Sequence, residues 1–357
     1  MELNISTSDF AAINSTEIPL KLNGTAMVPP TRELRMMWTY IYVHILPYVF
    51  VASGWKAWLF MGLLSVVVPL GIFGNIATVL IMLFSPMRRH PYSVYLAALG
   101  ICDFLNTCLR LIFFVNLCGA MLSYPKPIIT IAYNALTCRI FAYVYTWLLC
   151  SSKWMIAIVT ADRFFAVVYP LVYRRLSSKS AVVKITTIVF FISVIVWVYC
   201  LIPGVFDTYI PGVGCLSDAL PATIHFLITS VLFSHVPMIV ITAVNITIVV
   251  SLKRKTQMGN NVDRKLQALS RITKLLLVVS SLFLLMAAPG AFTSALRALR
   301  SDLWWINTAW EMSMITWDMH YSLNPLVYLI SSAEYRQIFC VFVLRVRNHK
   351  ESTKIQS

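Results

Sequence analysis

LTCRIFAYVYTWLLCSSKWMIAIVTADR, from Leu136 to Arg163, decides how the rest of the chain is read. It carries a cysteine near its start, Cys138, runs through mostly apolar residues and closes on Asp162-Arg163-Phe164, followed by Ala166-Val167-Val168-Tyr169-Pro170-Leu171. A helix rises about 1.5 Å per residue, so the 25 steps from Cys138 to Arg163 span about 38 Å, more than the roughly 30 Å hydrocarbon core of a bilayer. One end of such a helix can be tied down outside while the other meets the cytoplasm.

The whole chain has the same character. Of its 357 residues 59% are hydrophobic and 12% charged, with a mean hydropathy of +0.77, a balance foreign to water-soluble domains of this length. A polytopic membrane protein is therefore predicted. The formal net charge of +15 would suggest nucleic acid in a soluble protein, but the basic residues lie between apolar runs. Nineteen of the 29 Lys and Arg follow the first, third and fifth runs or sit in the tail, Arg88, Arg174, Lys253 and Arg336 among them. By the positive-inside rule that face is cytoplasmic and the N-terminus is outside. No nucleic-acid partner is needed to explain the charge.

Seven runs reach spanning length: 58–84, 92–117, 136–163, about 181–203, 222–252, about 272–299 and 304–332. They predict an all-α fold, a seven-transmembrane helix bundle occupying 58–332, with an extracellular segment over 1–57 and an interfacial helix and short cytoplasmic tail over 333–357. The outer segment holds three N-x-Ser/Thr acceptors, Asn4, Asn14 and Asn23, read as glycosylated. Asn245 fits the pattern but lies in an apolar run. The first twenty residues lack a basic and then apolar leader, so the first span is expected to act as its own insertion signal. Residues 36–50 are apolar but too short to span and are read as an interfacial or lid-like segment. In the tail, Tyr335, Ile338, Phe339, Phe342 and Val346 recur at helical spacing opposite Glu334, Arg336, Arg345 and Arg347, the pattern of an amphipathic helix on the inner membrane surface. Cys340 within it is equally a palmitoylation site or a membrane-facing thiol.

A lone carboxylate near the bilayer centre is costly and is expected to face the bundle interior with a partner. Asp103 in the second run is such a group, functional or, on the plainer view, a protonated bridge between helices. Of eight cysteines, Cys102, Cys108, Cys150 and Cys200 lie in apolar runs, where cysteine behaves as a small hydrophobe. Cys118, Cys138 and Cys215 fall on the outer side, where oxidation is possible. No metal-spaced His/Cys set, phosphate loop or nucleophile motif occurs, so no enzyme and no metal is expected. Paired halves of the transporter kind are not evident. A retinal protein needs a lysine in its last span, and 304–332 contains none.

Cys138 at the outer end of the third run, Asp162-Arg163-Phe164 at its inner end, the following Val168-Tyr169-Pro170-Leu171, and Asn324-Pro325-Leu326-Val327-Tyr328 in the seventh run together resemble the rhodopsin-like (class A) G-protein-coupled receptors. The resemblance implies a Cys138–Cys215 disulfide and a polar cluster of Asn75, Asp103, Ser152 and Asn324 that can hold a sodium ion near Asp103; no other cofactor is implied. It implies coupling to a heterotrimeric G protein through Asp162, Arg163 and the loop residue Leu171, arrestin as a further partner, and surrounding membrane lipid. Pro237, Phe283, Pro289, Asn324, Pro325 and Tyr328 would form the activation switch, and Arg110, Tyr145, Trp310, Met314 and Asp318 would line the ligand cavity. Tyr145 stands where amine receptors carry an aspartate, so a peptide ligand, a neuropeptide first of all, is expected at the plasma membrane. A constitutive receptor with a non-peptide ligand and a seven-helix transporter are the alternatives left open.

Arg110 and Asp318 are expected to pair across the second and seventh helices, because an unpaired buried charge costs far more than a paired one. The chain also departs from the family. Met286-Ala287-Ala288-Pro289 lacks the tryptophan before the proline, Asn245 replaces an inner tyrosine, and Leu269 stands where some members have an acidic clamp, with Thr273 nearby able only to hydrogen-bond. Basal activity is expected from that loose hold. Lys153, deep in the third run, requires deprotonation or an anionic partner, and Asp103 is the candidate.

Overall fold

A computed structural model describes residues 55–122, 128–129, 134–203, 205–206, 208–210, 214–216, 224–225, 228–257, 264–299 and 304–341. The three sequons and the 36–50 segment lie outside these residues. Seven long helices follow: α1 (Trp55–Phe84), α2 (Tyr92–Met121), α3 (Ala135–Val168), α4 (Lys179–Val196), α5 (Val236–Gln257), α6 (Arg264–Leu299) and α7 (Trp304–Ser331). Residues 333–341 form α8. Six of the long helices carry a stretch apolar enough to cross a membrane. The seventh, α7, has the length, 28 residues or about 42 Å, with Glu311, Asp318, His320 and Asn324 lowering its hydropathy.

Local chemistry explains where these helices start. Asn134 caps α3 by accepting from the Thr137 amide, and the Thr137 hydroxyl accepts from the Asn134 amide in return, 2.9 and 3.1 Å. Ser178 caps α4 through the Ala181 amide at 3.1 Å. Helix α6 begins well before the expected residue 272 because Arg264-Lys-Leu-Gln-Ala-Leu is made of strong helix formers. The fifth span is wound as a π-helix over Ile228–His235 before α5. That wide turn precedes Pro237, whose ring cannot pack against an ordinary helical carbonyl four residues back. Between the spans, Ser85 caps a 3-10 turn over Pro86–Arg89, and Pro170–Leu176 is a short loop helix. The only strands among the described residues are Thr208–Ile210 (β1) and Gly214–Leu216 (β2), an antiparallel hairpin with Tyr209 opposite Cys215.

The largest apolar cluster joins all the long helices toward their inner half: Tyr95, Leu96, Met155, Ile156, Val182, Ile241, Leu275, Val279, Phe283 and Tyr328. Outward-facing apolar side chains such as Phe73 on α1, Phe191 on α4 and Ile330 on α7 are exposed, as a lipid-facing belt requires.

Helix α1 approaches α7 closely because two glycines allow it. A Cβ on Gly74 would lie 2.8 Å from the Pro325 Cβ, and one on Gly71 would lie 2.2 Å from the Ser322 hydroxyl. The Pro325 ring cannot rotate away. Gly74→Val is therefore expected to cost on the order of 1–3 kcal/mol through overpacking, read as a lower melting temperature of purified protein and reduced surface expression; an unchanged melting temperature would contradict the close approach.

Candidate functional site

The inner end of α3 carries a closed ring of polar contacts. Arg163, 3% exposed, donates from Nε to Asp162 Oδ2 at 3.0 Å, and its Nη2 also bonds that carboxylate. The same Nη2 donates to the Tyr173 hydroxyl at 2.8 Å, and Tyr173 donates to Asp162 at 3.2 Å. The guanidinium also lies over the rings of Tyr92 and Tyr173, 5.9 and 5.6 Å from their centroids. Burial pushes the Tyr173 phenol above its ordinary value, so it keeps the proton that it donates. Tyr173 comes from the loop helix that begins at Pro170. Leu171, in the same turn, is 75% exposed.

Midway through the bundle, Asp103 is fully buried. Ser152 donates to one carboxylate oxygen at 2.6 Å and Asn324 to the other at 2.6 Å. The fourth residue expected here, Asn75, goes elsewhere: it donates to the Tyr321 carbonyl at 2.9 Å. Pro325 has no N–H to give that carbonyl four residues back, and the Asn75 amide replaces the missing donor. Asn75 thus ties α1 to α7 at the proline bend rather than joining the carboxylate.

The residues expected to form the switch differ in burial. Pro237 and Pro325 are buried, Pro289 is exposed, and Phe283 packs edge-on against His320 with centroids 5.3 Å apart. Tyr328 meets Tyr335 of α8 at 5.6 Å, and the Tyr335 hydroxyl lies 2.8 Å from that of Thr78. This seats α8 against α1 and α7; its Cys340 is exposed.

Toward the outer end, Arg110 is buried and donates to the Tyr145 hydroxyl at 3.2 Å, with its guanidinium 5.8 Å from that ring. It also borders a narrow, mainly apolar crevice between α1, α2 and α7, lined by Phe60, Leu64, Val67, Met319 and Ser322. Trp310 donates from Nε1 to Ser294 at 3.1 Å. The side chains of Met314 and Asp318 lie outside the described residues, and with them the expected Arg110–Asp318 pair. Lys153 of α3 reaches α7. Its Nζ stands 4.1 Å over the Trp317 ring, where the π-face offers a partial negative charge. Cys138 is disulfide-bonded; Cys215 is on β2, its side chain outside the described residues.

Three features escaped the reading of the sequence: Tyr173 as part of the Arg163 ring, the Trp317 ring beside Lys153, and a buried pair formed by Asn245 and Ser280. Tyr173 lies ten residues beyond Arg163, past the proline that turns the chain, so a return contact was the signal available.

A model of the seven-transmembrane receptors of the rhodopsin family matches residues 74–328, which takes in the Arg163 ring and the Asp103 cluster. The chain belongs to that family. The receptor is 25% identical over 293 residues to proteinase-activated receptor 1 of Xenopus laevis, covering 80% of this chain and 66%, just under two thirds, of the relative. It is also 25% identical over 280 residues to neuropeptides B/W receptor type 2 of Homo sapiens, covering 75% of this chain and 81% of the relative. It is accordingly a multi-pass plasma-membrane receptor, and not an enzyme.

Proposed function

We propose that the receptor binds an extracellular peptide, a neuropeptide first of all, with its N-terminus outside, and relays the signal to a heterotrimeric G protein. The observation that carries this reading is the Asp162–Arg163–Tyr173 ring: a buried cation held by two breakable contacts beside an exposed leucine on the same loop. Opening the ring would present a guanidinium and Leu171 to a partner at the inner face, a helix-shift switch of known kind. The neuropeptide receptor among the relatives supports the ligand class, as does Tyr145, a phenol where amine receptors carry a carboxylate. Arrestin is proposed to use the same face. The Cys138–Cys215 disulfide, glycosylation at Asn4, Asn14 and Asn23, and a sodium ion against Asp103 belong to the same reading. The proposed ion would draw on Asp103 and Ser152, because Asn75 is engaged at Tyr321.

Expression in cells with calcium and cyclic-AMP reporters, challenged with a neuropeptide library, tests the reading. Saturable agonism by one peptide supports it. Solute transport by the purified protein in liposomes, without any signalling, would overturn it.

A further inference from the structure

Between α3 and α4 the chain reads Arg174-Arg175-Leu176-Ser177-Ser178-Lys179. Arg174, Arg175, Ser178 and Lys179 are exposed, and Ser177 is half-buried where the loop helix meets α4. From Arg163 to Phe206 the basic residues are Arg163, Arg174, Arg175, Lys179 and Lys184, and there is no Asp or Glu. A serine with arginines two and three residues before it sets a hydroxyl beside two cationic forks, an arrangement that a carboxylate-lined groove can grip. The two adjacent serines differ in what holds them. The Ser178 hydroxyl is engaged as the α4 cap, accepting from the Ala181 amide at 3.1 Å. Ser177 is tied to Tyr173 instead: its amide donates to the Tyr173 carbonyl at 2.7 Å, and its side chain neighbours the Tyr173 phenol. That phenol accepts from Arg163 at 2.8 Å.

We infer that Ser177 is a phosphate-acceptor site for a protein kinase with an acidic substrate groove, and that its phosphate joins the Asp162–Arg163–Tyr173 ring and holds it closed. In the transfer the Ser177 oxygen bonds to the γ-phosphorus of a nucleoside triphosphate, whose bond to the bridging oxygen breaks. The nucleoside diphosphate leaves, and the hydroxyl proton passes to a base of the kinase. The new group carries a charge of about −1.5 to −2 and three acceptor oxygens. Beside Tyr173 it gives Arg163 a second anion, so release of the guanidinium breaks more charge-assisted bonds than in the unmodified chain. Arg174, Arg175 and Lys179 supply the positive charge that offsets repulsion from Asp162. The half charges of the two helix ends that meet at Ser177, negative from the loop helix and positive from α4, largely cancel. This closing of the ring rests on the reading that the inner face is cytoplasmic and controls coupling.

Full-length receptor purified in a maltoside detergent is incubated with magnesium ATP and the catalytic subunit of the cyclic-AMP-dependent protein kinase, an arginine-directed enzyme. Fragment mass spectrometry then locates the phosphate. It is expected on Ser177 in the wild type, on the replacement residue in Ser177→Thr, and nowhere in this loop in Ser177→Ala. Replacing both arginines, Arg174→Gln with Arg175→Gln, should slow its addition about tenfold or more. Phosphorus NMR next follows the titration of the phosphate. Its second ionisation, ordinarily near pH ~6, is expected below that value in the wild type and about one pH unit higher in Arg163→Gln than in the wild type. Phosphate found only on other residues, an unchanged rate without the two arginines, or a titration that Arg163→Gln leaves in place would overturn the inference. None of these readouts uses a G protein, so a receptor that fails to catalyse nucleotide exchange would count against the proposed coupling alone.

Discussion

Replacing Asp103 by leucine is expected to lower the melting temperature of the purified receptor more than any other single change in the bundle centre. The carboxylate is fully buried and accepts from Ser152 on α3 and Asn324 on α7, so it joins three helices through one side chain. Leucine of similar volume removes both acceptors and leaves two donors in an apolar interior. Each orphaned donor costs about 1–3 kcal/mol in a dry core, less where the unfolded state in a membrane finds other partners. A combined loss on the order of 2–4 kcal/mol follows from those ranges. Asp103→Asn, which keeps an acceptor oxygen, should lose roughly half as much. The proposed sodium ion adds a second readout: exchanging choline chloride for sodium chloride should raise the melting temperature of the wild type and leave both variants unmoved. A leucine variant as stable as wild type would mean that the three helices do not depend on this bridge.

The second large effect is expected at the inner ring. Asp162→Asn removes the negative charge that Arg163 faces and weakens two charge-assisted bonds, worth about 1.5–3 kcal/mol together with their geometry. The released state should gain by a factor of about ten or more, read as raised basal signalling at matched surface expression. Tyr173→Phe removes only the hydroxyl that accepts from Arg163 and donates to Asp162, so a smaller rise of about fivefold is expected. Because the three groups share one set of bonds, the double variant should fall short of the product of the two. Basal output at the wild-type level in Asp162→Asn would show that the ring does not hold the resting state.

The spans were legible because each needs some twenty apolar residues, a demand strong enough to survive any detail of packing. Their ends were less so. Helices α1 and α2 run a few residues beyond the apolar windows, starting at Trp55 and ending at Met121, since polar and amphipathic residues stay helical through the interface. The Asp103–Ser152–Asn324 bridge was expected from the resemblance, and the chemistry of a buried carboxylate demanded some such partners. Asn75 was not foreseen at Tyr321, because that contact depends on a carbonyl left free by Pro325, 246 residues away in sequence from the amide. Lys153 was legible only in part for a related reason. Charge arithmetic pointed to an anionic partner, and the indole face that α7 adds follows from the geometry of the two helices. Asn245 stood out only as a departure from the family, and it is the shared height of α5 and α6 in the bundle that pairs it with Ser280.

The central claim is that Arg163 becomes the contact for a signalling partner when the inner ring opens. Purified receptor in lipid discs, incubated with a panel of heterotrimeric G proteins, gives the direct measurement: the rate of guanine-nucleotide exchange for wild type and for Arg163→Ala, with the melting temperature of each recorded alongside. The account predicts exchange above the receptor-free rate for wild type with at least one heterotrimer, and the receptor-free rate for a folded Arg163→Ala. Equal exchange by both receptors would contradict it.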